Sequence, residues 1–272
     1  LNGFDPVENT VANAELLSLD RWAVDRAAQL QQEIIEAYRG YHFHQIYQKL
    51  HTFCANDLGG FYLDVIKDRL YTTPANSLAR RSAQSAMYQI SEALVRWIAP
   101  ILSFTAEEIW ENLPGERGPS VMLEQWYGGL ESLSPGDAMG RSFWQRMMAV
   151  RTVVNKAMEV QRAAGTLRGS LDATVTLYCA DELRETLLAL GDELRFLLIT
   201  SAATVLPLSA AGADAVSTEL PELQLQIAPS TDEKCERCWH RSPTIGCSTA
   251  HPTLCERCVE NVDGDGERRR FA

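Results

Sequence analysis

No apolar run in the sequence approaches the ~20 residues that a bilayer-spanning helix needs, which excludes a helical membrane anchor within it. The basic-then-apolar pattern of a signal peptide is missing from the first residues. So is an initiating methionine: the chain opens Leu1-Asn2-Gly3, and it is expected to be a fragment cut from a longer protein. Internal repeats and low-complexity tracts are lacking, which sets aside solenoid and compositionally disordered architectures. A basic excess is lacking as well. With 25 Lys and Arg against 36 Asp and Glu the formal net charge is −11. Indiscriminate nucleic-acid binding, DNA binding included, is therefore not expected, because phosphate neutralisation supplies the affinity of such proteins. The acidity is uneven: from Lys234 onward seven basic side chains stand against six acidic ones, so the negative burden lies in the preceding 233 residues. A negative body with a near-neutral, Arg-studded tip favours a selective contact over a broad electrostatic one.

What is present is an ordinary globular composition, 46% hydrophobic and 22% charged over 272 residues, enough for one large core or two to three modules. Seven cysteines occur, four of them in two matched pairs. Cys235-Glu-Arg-Cys238 and Cys255-Glu-Arg-Cys258 are separated by sixteen residues. That spacing is that of a four-thiolate zinc ribbon, in which each pair forms a tight knuckle presenting two sulfurs to one ion. Four sulfurs close a tetrahedron and leave no position for water, so the expected zinc is a single structural ion and not a catalytic one. A thiol-redox reading of the same pairs would need a βαβ context around them. Cys247, His240 and His251 lie in or beside the intervening loop and are the other candidate ligands. Cys54 and Cys179 read as buried, inert side chains. Abundant cysteine without a secretion signal points to the reducing cytoplasm, where thiolates bind metal instead of pairing.

Periodicity organises the rest. Ser18 or Asp20 is positioned to cap a first helix, along which Trp22, Ala23, Leu30, Ile34 and Tyr38 recur near a 3.6 period. A second stripe runs through Ile46, Leu50, Phe53 and Leu58 to Gly59-Gly60, a weak point or a close contact, and continues through Phe61, Val65, Ile66 and Leu70. A third runs from Ala83 to Ile98 and meets Pro100, which should end it. Thr105-Ala-Glu-Glu108 reads as a capping box for a short helix through Trp110. Pro, Gly and Ser mark 114–140 as a linker, with Val121–Trp126 as an apolar island docking on the bundle. A long helix follows with Phe143, Met147, Val150, Val154 and Met158 on one face, and Arg146, Arg151, Lys156 and Arg162 on a solvated one. The period then switches to two over Ala173–Cys179, followed by helices from Asp181 and Gly191 and extended runs at 203–208 and 223–227. The expected fold is mainly α: a helical bundle over 1–130, a linker and long helix over 131–170, a small α+β module over 171–230 and a zinc ribbon over 231–272.

Three landmarks carry a resemblance. Phe53 to Tyr71, Asp20-Arg-Trp22 and Ala99 to Trp110 are similar to the anticodon-binding helical domain of class I aminoacyl-tRNA synthetases for branched aliphatic amino acids. Arg151 to Lys156, Gly191 to Phe196, the two cysteine knuckles and the closing Asn261–Ala272 resemble bacterial isoleucyl-tRNA synthetases in particular. The valine enzymes typically end in a coiled coil, and no heptad run is present here. Ala164–Ser170 is looser than that family's usual turn before the strand. The family's His-x-Gly-His, Lys-Met-Ser-Lys-Ser and Rossmann-type half are missing from this stretch.

The resemblance implies a part that grips isoleucine tRNA at its anticodon region, in a ligase that uses ATP and magnesium elsewhere; the fragment itself is expected to have no catalytic residue and to be monomeric. Anticodon bases are unstacked and are read by aromatic or guanidinium stacking and by hydrogen bonds to their edges. Trp239, Arg237, Arg257 and Arg268 are the candidate tRNA contacts, Trp239 being alternatively a lid over the ribbon core and Arg268 part of a solvated tail. On the bundle, Lys67, Arg69, Arg80 and Arg81 are positioned to border the anticodon stem. A zinc-ribbon adaptor for a protein partner is the alternative, and it requires an exposed apolar patch on the bundle.

Overall fold

The computed structural model describes residues 1–272 and divides into two compact units, Leu1–Leu70 with Ala75–Gly140, and Tyr71–Pro74 with Arg141–Ala272. The fold is mainly α, with a small four-stranded sheet and a four-cysteine cluster.

The first unit is built on α1 (Ser18–Arg39), α2 (Phe43–Thr52), α3 (Leu63–Thr72) as far as Leu70, α4 (Leu78–Ile98) and α5 (Ser103–Asn112). The stripe Leu19, Trp22, Ala23, Leu30, Ile34 of α1 is buried, because α1 packs along α4. Trp97 of α4 is fully buried, yet its indole N–H is satisfied by donating to Gln31 Oε1 at 2.9 Å, as a buried Trp requires. Neither Ser18 nor Asp20 caps α1. Leu17 is the cap residue, and its N–H donates to Ser82 Oγ of α4 at 2.8 Å. Asp20 is instead fully buried in an ion pair, accepting from Arg69 at 2.5 and 2.8 Å and from Tyr62 Oη at 2.7 Å.

Between α2 and α3 the chain is a π-helix over Phe53–Tyr62. Here Gly59 and Gly60 sit close to backbone: a Cβ would lie 3.1 Å from the Cys54 carbonyl oxygen and 3.3 Å from that of Ala55, both tight contacts. Cys54 is exposed on this helix, a correction to its reading as a buried thiol: the buried side chains of the helix are Phe53, Phe61 and Tyr62. α4 ends two residues before Pro100, as the ring demands. The Thr105 capping box does not form, because α5 already begins at Ser103 with Leu102 as its cap residue. Val121 alone of the apolar island enters the core, beside Val95, Ala99, Ala106 and Trp110.

In the second unit α6 (Arg141–Ala163) buries Trp144, Met147, Val150, Val153, Val154 and Met158 against a sheet in the order β2-β1-β4-β3. The strands are β1 (Ala173–Cys179), β2 (Ala202–Pro207), β3 (Val216–Ser217) and β4 (Leu223–Pro229). β1 and β2 run parallel with Leu177 opposite Val205, joined through α7 (Asp181–Leu188) and α8 (Leu194–Leu198). β4 is antiparallel to β1 with Leu177 opposite Leu225. Arg151 is not on a solvated face of α6: it is buried and donates to the Leu197 carbonyl at 2.5 Å. The last element is α9 (Glu256–Asp263).

Candidate functional site

Two turns and a helix bring the paired cysteines together. In the first knuckle the Trp239 N–H donates to the Cys235 carbonyl and the Cys235 N–H to the His240 carbonyl, both at 2.9 Å. In the second, Cys255 is the cap residue of α9, so Cys255 and Cys258 meet the positive end of a helix, which favours thiolate. The knuckles are tied by the Cys255 N–H donating to Cys235 Sγ at 3.4 Å and the Glu236 N–H to the Thr253 carbonyl at 3.3 Å.

All four sulfurs lie within 4.8 Å of one another and all four cysteines are buried. Sγ of Cys238 and Sγ of Cys255 are 3.7 Å apart, close to the edge of about 3.8 Å that Zn–S bonds of about 2.3 Å give a tetrahedron. Hydrogen bonds from Cys238 and Cys258 hold the Cys255 thiol down to about 3, while the same sharing pushes Cys258 up. A metal ion binds the thiolates, so its binding would displace the protons of these thiols to solvent. The donor set fits a structural zinc ion. His240 Nδ1 is instead 3.2 Å from the Cys238 carbonyl, His251 Nε2 pairs with Asp263 at 2.8 Å, and Cys247 is exposed.

The four candidate RNA contacts fall into two kinds of environment. Trp239 stands outward, 61% exposed, in the left-handed backbone region at φ 66°, with Lys234 Nζ 5.5 Å from its ring centroid. Arg268 is exposed too. Arg237 is engaged internally: it donates to the Thr72 carbonyl at 2.6 Å and lies 4.0 Å from Cys258 Sγ. Arg257 donates to Glu267 at 2.9 Å and to Thr72 Oγ1 at 3.4 Å. Burial works to raise the Glu267 pKa, but the charges of Arg269 and Arg257 outweigh it and hold the carboxyl below the ordinary glutamate range. On the bundle, Arg69 is fully buried, which removes it from any stem-facing surface. Arg81 donates to Gly3, Gln84 and Asn76.

Phe196 and Glu193 carry no role legible in the sequence, although both lie in the Gly191 to Phe196 landmark. Phe196 is ringed by the guanidiniums of Arg269, Arg195 and Arg257, with Cζ 3.4, 4.2 and 5.1 Å from its centroid, and by the His240 ring at 5.6 Å. Arg195 is its sequence neighbour, but the other three partners come from separate positions at 240, 257 and 269, which leaves no local pattern that a periodicity could register.

A bundle of this kind followed by a cysteine knuckle is a recognisable combination. The sequence profile described as "Anticodon-binding domain of tRNA ligase" matches residues 20–177, more than half of the chain, and that described as "Zinc finger found in FPG and IleRS" matches residues 232–261. The chain belongs to the family of anticodon-binding domains of tRNA ligases. Along its full length it is similar to isoleucine–tRNA ligases: 58% identical over 272 residues to one from Pseudomonas aeruginosa, 57% over 272 to one from Azotobacter vinelandii, and 55% over 273 to one from Marinomonas sp.. Each alignment takes in 100% of this chain and 29% of the relative, so the chain spans less than a third of the length of these ligases. No helix is long and apolar enough to cross a membrane.

Proposed function

We propose that this chain is the tRNA-binding part of an isoleucine–tRNA ligase, gripping the anticodon region of isoleucine tRNA while activation of isoleucine with ATP and magnesium takes place elsewhere in the full-length enzyme. The observation that carries the reading is Trp239: an aromatic ring of this size, 61% exposed on a knuckle of buried cysteines, offers a rigid stacking face. Cys235, Cys238, Cys255 and Cys258 hold one zinc ion. The ion supplies a cross-link between the two knuckles, which are too small to bury a sufficient core alone. Trp239 stacks on an unpaired base and Arg268 meets a phosphate. Arg237 and Arg257 act one step back, holding the knuckles through Thr72 and Glu267. The protein works as a monomer in the cytoplasm, and its isolated chain lacks ligase activity.

The test is the affinity of the zinc-loaded chain, at fixed salt, for isoleucine tRNA and for a tRNA with a changed anticodon, with Trp239→Ala alongside. Base stacking on an aromatic side chain contributes about 1–3 kcal/mol, so the substitution is expected to weaken binding by about 5- to 150-fold. Anticodon-dependent binding that falls in the variant supports the reading; equal binding of both tRNAs, or none, overturns it. One observation favours the adaptor alternative. Ile101, Leu102, Phe104 and Leu123 are exposed large hydrophobic side chains on the first unit, and that reading predicts no tRNA affinity at all.

A further inference from the structure

We infer that Phe196 is a pedestal that aims Trp239 at RNA, and that Glu267–Ala272 is the strap that keeps this pedestal in place; the aiming role rests on the RNA-binding function proposed above. A positive φ is uncommon for a bulky side chain, so the 66° at Trp239 has to be imposed by what flanks it. On one side is Cys238, fixed by the sulfur cluster. On the other are His240, edge-on to Phe196 with an interplanar angle of 74°, and Arg241, whose N–H donates to Ser201 Oγ and whose Nε donates to Asp172, both at 2.7 Å. The metal side of the knuckle is therefore only half of what directs the indole.

Phe196 is buried and does not itself reach RNA. Its surroundings are also not those of an ordinary core ring, because cations gather on it. The nearest is Arg269, which is held in turn by donating to Glu267 Oε2 at 2.9 Å and to the Ala272 carbonyl at 3.1 Å. The strap is fastened at its far end by Glu193, three residues before Phe196. Its carboxylate accepts from the backbone N–H groups of Arg270, Phe271 and Ala272 at 2.9, 2.8 and 2.8 Å. Charge-assisted bonds of this kind are about twice as strong as neutral ones. Tail, pedestal and knuckle thus form one connected chain of contacts ending at Trp239.

The experiment uses the full zinc-loaded chain with Phe196→Leu and Glu193→Gln, each alone and combined with Trp239→Ala. The readouts are affinity for an RNA stem-loop carrying the isoleucine anticodon, zinc per chain, and amide hydrogen exchange over 255–272. Each single variant is expected to lose about tenfold in affinity, a partial loss of the stacking contribution, while retaining one zinc. In the Trp239→Ala background neither should cause a further loss, since a residue acting through the indole has nothing left to aim. Losses that multiply, or unchanged affinity in Phe196→Leu, overturn the pedestal. Glu193→Gln should also accelerate exchange at Arg270–Ala272 whether or not RNA binds, and unchanged exchange there overturns the strap alone. A wild-type chain with no affinity for the stem-loop overturns the RNA reading, and the aiming role with it.

Discussion

Asp20 lies in the first turn of α1, where a carboxylate ordinarily meets the helix's own amides, but its oxygens are taken by Arg69, Tyr62 and Ser82. Both charged side chains of the pair have no exposed surface. Removing one member of such a pair strands the other, at a cost of about 3–5 kcal/mol, whereas replacing both with apolar residues of similar volume is often near neutral. Arg69→Met is therefore expected to lower the urea midpoint of the helical transition sharply, and Asp20→Leu/Arg69→Met to recover most of the loss. Glu92 makes the corresponding pH argument. Burial works to raise its pKa, but hydrogen bonds from Arg117, Arg96 and Tyr88 outweigh it and hold the carboxyl below the ordinary 4.5. A carboxyl depressed in the folded state contributes stability above its unfolded pKa and loses that contribution as pH falls through the folded value. Melting of the helical signal should then be flat from pH 7 to about 5 and decline below about 4.5, and Glu92→Gln should be less stable at pH 7 with a shallower acid slope. Asp20 was legible as a landmark residue, but its partner sits 49 positions away, and only the packed helices bring the two together.

The π-helix gives the clearest prediction at the level of an element. In an ordinary helix Gly→Ala stabilises by about 0.5–1 kcal/mol. At Gly59 the sign should reverse, because the new methyl would sit 3.1 Å from a backbone carbonyl oxygen that cannot swing aside like a side chain. Gly59→Ala is expected to destabilise by about 1 kcal/mol or more, as overpacking does, and a gain in thermal midpoint would count against the π geometry. The Gly59-Gly60 pair was visible as a weak point or a close contact, but a change in helical pitch has no signature in an apolar stripe. Element types were otherwise readable: the 3.6-residue stripes became α1 to α4, and the alternation Ala173–Cys179 became β1 with its ends unchanged. Starts were read less well. Thr105-Ala-Glu-Glu108 has the pattern of a capping box, but the turn after α4, in which the Leu102 N–H donates to the Ile98 carbonyl at 2.7 Å, starts α5 earlier and leaves Thr105 inside it. The cysteine knuckles could be read because their spacing is local; the Phe196 cluster could not, because its members meet only in the folded chain.

Taken whole, the molecule joins a bundle with an extensive apolar core to a terminal region whose buried residues in the metal cluster are cysteines. Chelation of zinc is expected to abolish amide protection over the last ~40 residues, the span of a metal-dependent folding unit, while circular dichroism keeps the helical signal of α1 to α5. Loss of the entire helical signal would overturn that division. The four residues Tyr71–Pro74 bear on the molecule's history as well. They group with the second unit, and the Thr72 carbonyl is the acceptor for Arg237 of the first knuckle. The second unit is thus encoded in two separated pieces, and no single crossover in the gene can move it without also carrying residues 75–140 of the first unit. A chimaera that exchanges 141–272 alone would bring its own Arg257 but take from the host residue 72, whose side-chain Oγ1 that guanidinium meets at 3.4 Å, so this region should travel between ligases only where that short stretch already matches or is carried with it.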